Sequence, residues 1–395
     1  MKAVFFLSSF WLVYVYVGYP MILVCIARLR RVAIASSDSF LPAVSVLIAA
    51  RNEAADIGWK IQETLNWDYP PQKLEVLVCS DASDDGTDDI VRSFDSSRVA
   101  LHRMELRGGK GRALNQLAGL AHGEVLFFTD ANTHIKPEIL RLMVRHLADG
   151  RIACVTGHTQ HVQGDDPSLT CGAGVYERYE SMLKHLESSL GSVLACDGAI
   201  FCMTASSFLP VSPELANDFE LPLRTSVNGY WTVVEPAARA LERDTSSAAE
   251  EFNRRRRMAA QGMLAILRIR GVVRGFRGWQ IASHKILRWL LLIPMITALV
   301  TSTALIPDGL FYQSAFALQI LFYSTAAIGL VTKRAGRHSS RLFAVPFYLL
   351  LSVVASCLGV LECFAGKRFD VWEIPTLSRG VVKPTSIGDC NDTTR

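Results

Sequence analysis

Four long apolar runs punctuate the chain, and between the first and second of them short apolar segments alternate with polar, helix-like ones. Residues 4–26 (VFFLSSFWLVYVYVGYPMILVCI) carry no charge and are about as long as the ~20 residues a helix needs to span a bilayer. Further runs fill 287–306, 312–331 and 342–364. Pro346 and Glu362 interrupt the last, so a re-entrant or interfacial segment is an alternative to a full crossing there. Between them, 263–290 combines Leu/Ile spacing with arginines, which reads as an amphipathic interfacial helix with Trp279 and Trp289 at headgroup level.

The flanking charges orient these runs. Lys2 precedes the first run and Arg28, Arg30 and Arg31 follow it, while the short loop KRAGRHSSR at 333–341 is basic and the loop holding Asp308 is not. The positive-inside bias then puts the N-terminus outside and the middle of the chain in the cytoplasm, at the plasma (inner) membrane. A cleaved signal peptide ending at AIA (33–35) is the rival reading, but the apolar core is too long and the arginine cluster separates it from that site. The expected organisation is an N-terminal transmembrane anchor (1–30), a cytoplasmic domain (40–262), an interfacial segment (263–286), about three C-terminal transmembrane helices (287–366) and a tail (367–395).

Within the cytoplasmic part the alternation predicts an α/β fold, with a mostly parallel sheet covered by helices. AVSVLIAA (43–50), LEVLVCSDAS (74–83) and VLFFTDAN (125–132) are apolar strands that each end in polar residues. In open parallel sheets ligands bind beyond the carboxyl ends of the strands, so Glu53, Asp81 and Asp130 are expected on one rim. An acid at that point can also cap a helix or make a turn, but three in succession favour a site. Asp130 and Asn132 stand two apart, where an extended chain aims both side chains the same way. LRGGKGRALNQLAGLAHG (106–123) is glycine-rich and then helical. It lacks the third glycine of a dinucleotide fingerprint and the Ser or Thr of a P-loop, yet Lys110 at a helix N-terminus suits a phosphate; a solvated basic loop is the plainer alternative.

Composition sharpens the class. Half of the 395 residues are hydrophobic, the mean hydropathy is +0.23 and the formal net charge is +4, more apolar than an ordinary soluble protein. The nine cysteines, at 25, 79, 154, 171, 196, 202, 357, 363 and 390, form no CxxC pair and no zinc-type spacing with histidine, which suggests core residues in a reducing compartment. No nucleic-acid partner is expected.

Four stretches in order, VSVLIAARNEAADI, VLVCSDASDDGTDDI, GGKGRALNQLAG and FFTDANT, resemble the nucleotide-sugar-binding half of family 2 glycosyltransferases, which have the Rossmann-like GT-A fold. The membrane layout resembles the synthase-like branch that includes poly-N-acetylglucosamine, chitin and hyaluronan synthases, and the resemblance covers roughly residues 40–290. It implies that Glu53 and Asp81 contact the uracil and ribose of a UDP-sugar and that Lys110 lies by the diphosphate. Asp130 matches the first acid of a DxD motif that holds magnesium or manganese, and Asn132 stands where the second acid usually is. Such a cation is commonly held by one or two carboxylates with phosphate oxygens and water, so Asp130 can supply the charge and the Asn132 amide oxygen can assist; a helix cap at Asn132 is the alternative.

The resemblance extends into the acceptor half. NDFELPLR (217–224) stands where the family has an ED or DD pair, which makes Asp218 the expected general base and Glu220 structural. A sugar hydroxyl is a poor nucleophile until its proton is accepted, so a carboxylate is needed there. EEFNRRRRM (250–258) resembles the family's QxxRW element, with Arg254 for Gln, Arg257 for Arg and Met258 for Trp. The arginine run can also serve as an anchor beside anionic lipid. Asp197, in CDGAIFCM (196–203), lies near the acceptor by the same resemblance, or makes a turn with Gly198.

The expected function is therefore an inverting glycosyltransferase at the membrane, moving a sugar from a UDP-sugar to a polysaccharide or lipid-linked acceptor. Polysaccharide or cell-envelope synthesis is slightly preferred. The absent tryptophan at Met258 and the few helices favour a single transfer to lipid instead. A membrane-anchored nucleotidyltransferase is a second alternative, though it has no use for the NDFELPLR and RRRRM elements, and a non-catalytic scaffold or transporter is a third, for which charged residues inside the spans are expected and, apart from Glu362, almost none occur.

Overall fold

The computed structural model describes residues 1–30, 32–162, 167–243, 247–335 and 340–369. Arg31, residues 336–339 of the basic loop, and the tail from 370 onward with Cys390 lie outside the described residues, as does the side chain of Cys171. The seven cysteines whose side chains are described are all free thiols.

Eight strands form one mixed sheet: β1 (Val44–Ala50), β2 (Leu74–Ser80), β3 (Val99–Arg103), β4 (Val125–Thr129), β5 (His134–Ile135), β6 (Ile152–Val162), β7 (Ile200–Thr204) and β8 (Trp231–Arg243), in the order β3-β2-β1-β4-β7-β6-β8-β5. The first four in that order are mutually parallel, as the continuous apolar runs predict. From β4 to β7 the direction reverses, and β6–β7 and β5–β8 are also antiparallel. The sheet is buried on both faces: Val46, Ile48, Val76, Val78 and Phe127 belong to one core, and Leu47, Leu77, Leu126, Phe128 and Phe201 to the other. Phe128 and Phe201, opposite each other on β4 and β7, stack at 4.3 Å with their planes 3° apart.

Register places the rim. Ala50 pairs with Ser80 and Ile48 with Thr129, so β1, β2 and β4 end together and release Glu53, Asp81 and Asp130 on the same side. The antiparallel strands add residues to this rim from the opposite chain direction. Because Thr129 pairs with Ile200, β7 starts where β4 ends and Asp197 sits just before it. Because His134 pairs with Leu241, the end of β8 carries Glu242 to the segment that follows Asp130.

Among the described residues three single helices are long and apolar enough to cross a membrane: Lys2–Leu29, Leu310–Lys333 and Arg341–Phe364. The first contains a π-helical turn at Tyr14–Gly18. The third is continuous through Pro346, which lies inside the helix in its second turn, and Glu362 meets Arg256 at 3.4 Å and Lys367 at 2.8 Å near its end. The apolar run 287–306 is not one long helix. Leu292–Ala304 leaves Gly275–Trp289 at an angle of 61°, because Pro294 has no N–H for the Leu290 carbonyl, which accepts from Ile293 instead at 3.0 Å. Helix Ala248–Arg268 runs through residue 262, so the domain and the interfacial segment share one element. Lys2 meets Asp308 at 2.9 Å, which brings the N-terminus beside the loop between Leu292–Ala304 and Leu310–Arg334.

Candidate active site

The loops after β1 and β2 are laced together. Asn52 and Ala82, each at φ 54°, are the non-glycine residues with left-handed backbone among those described. They flank Glu53 and Asp81, and strain of this kind gathers where a strand end must aim a side chain. Asn52 N–H donates to Ser83 Oγ at 3.0 Å, Glu53 N–H to Thr87 Oγ1 at 2.8 Å and Asp84 N–H to Asn52 Oδ1 at 3.0 Å. Asp81, 1% exposed, accepts from the N–H groups of Gly108 and Gly109 at 2.6 and 3.0 Å. It thereby ties the glycine-rich loop, and the N-terminus of helix Gly109–Leu120, to the rim.

Lys110, the second residue of that helix, reaches Asp130 Oδ1 at 2.5 Å. Burial works against its charge, but Asp130 outweighs it, and Asp218 and Glu242 add to the effect, so its pKa lies above the ordinary lysine value. The glycine loop, the DxN segment and the proposed base are therefore in electrostatic contact although 108 positions separate Lys110 from Asp218.

Asn132 does not cap a helix. Its Nδ2 donates to Glu242 Oε1 at 3.1 Å. Glu242 is pushed up to about 7, first by burial and next by the Asp130 carboxylate, against the opposing pull of Arg254 and Asn132. The sequence reading missed this residue. Pro236 made YWTVVEP look like a complete strand, whereas β8 runs on to Arg243 and places one more acid at the rim.

On the acceptor side a cavity of 240 Å³ is lined by Asp197, Asp218, Lys184, Arg254, Arg255 and Met258 together with residues of the apolar helices, including Trp289, Leu349, Ser352 and Val353. Asp218 lies in the first turn of helix Asn217–Val227. Burial raises its carboxyl pKa, opposed by Lys110, assisted by Asp197 and opposed again by Lys184. A Cβ on Gly198 would stand 3.3 Å from Asp218 Oδ2, so the turn after Asp197 makes room for this carboxylate. Asp197 itself accepts from the N–H and Oγ1 of Thr159 at 2.8 and 2.6 Å. Burial opposes its charge, but Lys184 and those hydrogen bonds hold its pKa below the usual carboxylate value. It is a turn residue that also faces the cavity. Neighbouring Asn217 is buried and its Nδ2 has no hydrogen-bond partner among the described residues. Glu220 is fully buried and occupied by Ser212 and by Arg224 at 2.5 Å, a structural role.

The arginine run divides its work. Arg254 and Arg255 each meet Glu251 at 2.7 Å, and Arg255 lies over the Tyr176 ring at 4.1 Å. Arg256 faces Glu362. Arg254, Arg255 and Met258 line the cavity and Arg257 does not. His158, also on the cavity wall, is held down at about 4 by burial and then by Lys184 and His185, so its ring is neutral at pH 7. Lys184 and His158 are further cavity residues that the sequence reading did not single out. They belong to a helix and a strand with no motif around them.

A family model described as glycosyl transferase family 2 matches residues 45–206. The chain is 35% identical over 104 residues to a beta-monoglucosyldiacylglycerol synthase of Trichormus variabilis, a match covering 25% of this chain and 22% of that enzyme. It is 27% identical over 134 residues to a chondroitin synthase of Pasteurella multocida, covering 33% of this chain and 14% of that enzyme. These matches thus span less than a quarter of either relative. Among solved structures, the Pyrobaculum calidifontis mannosyltransferase PcManGT, in complex with GDP-Man and Mn2+, aligns over 93% of this chain and 99% of its own with a TM-score of 0.66 at 21% identity. That likeness shows a shared fold over most of the chain.

Proposed function

We propose that the protein, whose residues 45–206 match the glycosyl transferase family 2 model, transfers one sugar from a nucleotide-sugar to a hydroxyl on a lipid-borne acceptor at the membrane surface. The observation that carries the acceptor side is the shared wall of the 240 Å³ cavity. Asp218 lines it from the sheet side, while Leu349, Ser352 and Val353 line it from a helix long enough to span a bilayer. Its volume falls below the ~300–1,000 Å³ of typical ligand pockets, which favours a small acceptor headgroup over several enclosed sugars. Met258, exposed on that wall where the related polymerising enzymes carry tryptophan, fits the same reading.

On the donor side, Glu53 and Asp81 stand on the strand-end rim at which the nucleoside is to bind, and Lys110, now paired with Asp130, can turn to a diphosphate. The oxygen-only donors Asp130, Asn132 and Glu242 suit a hard divalent cation, and the repulsion between the two carboxylates is what such a cation would relieve. A divalent cation, when bound, neutralises charge developing on the leaving diphosphate. Mn2+ accompanies GDP-Man in the mannosyltransferase structure. Arg254 adds positive charge between this rim and the cavity. Asp218 accepts the proton of the acceptor hydroxyl as that oxygen attacks the anomeric carbon in line, and its raised pKa strengthens it as a base.

The test uses the full chain purified in detergent. It is supplied with UDP- and GDP-sugars, manganese or magnesium, and lipids bearing a free hydroxyl, with products read by mass spectrometry. Metal-dependent glycosylation of a lipid with at least one donor is expected. A ladder of elongated sugars would favour polymer synthesis, and incorporation of a nucleotidyl group would overturn the proposal.

A further inference from the structure

The DxD position of this chain has lost an acid, and a strand far along the sequence places one beside it. We propose that Glu242 is the second carboxylate of the metal site, replacing in space the acid that Asn132 lacks; this rests on the glycosyltransferase reading above.

Three observations converge. The antiparallel pairing of His134 with Leu241 brings the end of β8 alongside the residues that follow Asp130. Asn132 Nδ2 donates to Glu242 Oε1 at 3.1 Å, so the amide nitrogen is turned toward Glu242 and Oδ1 is left for the cation side. Lys110 meets Asp130 Oδ1 at 2.5 Å, which fixes the first carboxylate of the motif on the rim that Glu242 also reaches. Two carboxylates and an amide oxygen form a donor set with the charge of an ordinary two-acid motif. A purely structural glutamate would more economically face a permanent cation, as Glu220 faces Arg224 and Glu251 faces Arg254. Glu242 accepts instead from the amide of the motif, with Arg254 near enough to pull on its charge.

The experiment measures Mn2+ binding by electron paramagnetic resonance on the full chain in detergent, with UDP or GDP present. Glu242→Gln is expected to weaken Mn2+ binding tenfold or more. The double variant Asn132→Asp/Glu242→Gln, which returns the acid to its usual place, is expected to recover most of the loss, whereas Asn132→Ala/Glu242→Gln is not. A glutamate that merely orients Asn132 would make the single variant Asn132→Ala as damaging as Glu242→Gln, whereas a ligating Glu242 leaves Asn132→Ala the tighter binder of the two. Glu242→Asp keeps the charge and serves if the glutamine variant does not fold; it is expected to bind Mn2+ more weakly than the parent, because the shorter side chain draws the carboxylate back. Affinity within twofold of the parent in Glu242→Gln, or no recovery in the charge-restored variant, overturns the proposal. If the parent binds no Mn2+ with either nucleotide, it is the metal-dependent reading of the domain that fails.

Discussion

Lys110 Nζ and Asp130 Oδ1 lie 2.5 Å apart, one from the glycine-rich loop and the other from the end of β4. The lysine occupies the electrostatic place that a cation would take beside Asp130, and a diphosphate would give it a second anion to bind. Replacing it by Lys110→Met should therefore act in opposite senses. Without nucleotide, Mn2+ binding should tighten because the competing charge is gone. Transfer from the nucleotide-sugar should fall by about 10²-fold, the scale of losing one preorganised charged group at a developing anion. Metal titration and initial rates check the two halves. Equal metal affinity in both proteins would place Lys110 away from the cation.

Asp218→Asn separates chemistry from binding. The carboxylate is the proposed proton acceptor, so the rate of transfer should fall by about 10²- to 10⁴-fold. Nucleotide-sugar affinity, measured by calorimetry with manganese, should stay close to that of the parent because no donor-side residue is altered. A transfer rate near the parental one would assign the base elsewhere.

How far the site could be read from the sequence depends on the direction of each strand. Glu53, Asp81 and Asp130 follow three parallel strands, and the apolar run ending in an acid marks each one. One rule of parallel sheets then collects them. Asp197 and Glu242 reach the same rim through antiparallel pairings, with β7 beginning there and β8 ending there. No local pattern distinguishes such a neighbour from an ordinary strand terminus, because the pairing is set by distant partners. Of the arginines 254–257 and Met258, only helical phase decides which reach the cavity, and four like residues in succession conceal that phase. The bend at Pro294 was likewise hidden, since hydropathy registers length and not direction.

Gly198→Ala tests whether room beside Asp218 matters. The added methyl would meet Asp218 Oδ2 at 3.3 Å, tight contact for a carbon beside a charged oxygen. The carboxylate must rotate away or lose solvation. The turnover rate should fall about tenfold or more, with donor affinity unchanged and stability lowered by about 1–3 kcal/mol, an ordinary small-to-large cost. Unchanged turnover would show that Asp218 has space to spare.

Glu251 joins helix Ala248–Arg268 to helix Arg341–Phe364. It is 1% exposed, meets Arg254 and Arg255 at 2.7 Å and accepts from Tyr348 Oη at 2.7 Å. Burial alone would raise its pKa, but Arg254 and then Arg255 outweigh that and hold it at about 2. The folded pKa is thus depressed below the value of about 4.3 for a free glutamate. Its stabilising contribution is complete above that unfolded value and is lost as pH falls toward about 2. Glu251→Gln leaves two buried guanidinium groups without their anion, and should cost about 3–5 kcal/mol at pH 7. The gap between variant and parent should narrow steadily as thermal unfolding is measured from pH 5 down to pH 3. A gap independent of pH would mean that shape and hydrogen bonding, and not charge, join these helices at Glu251.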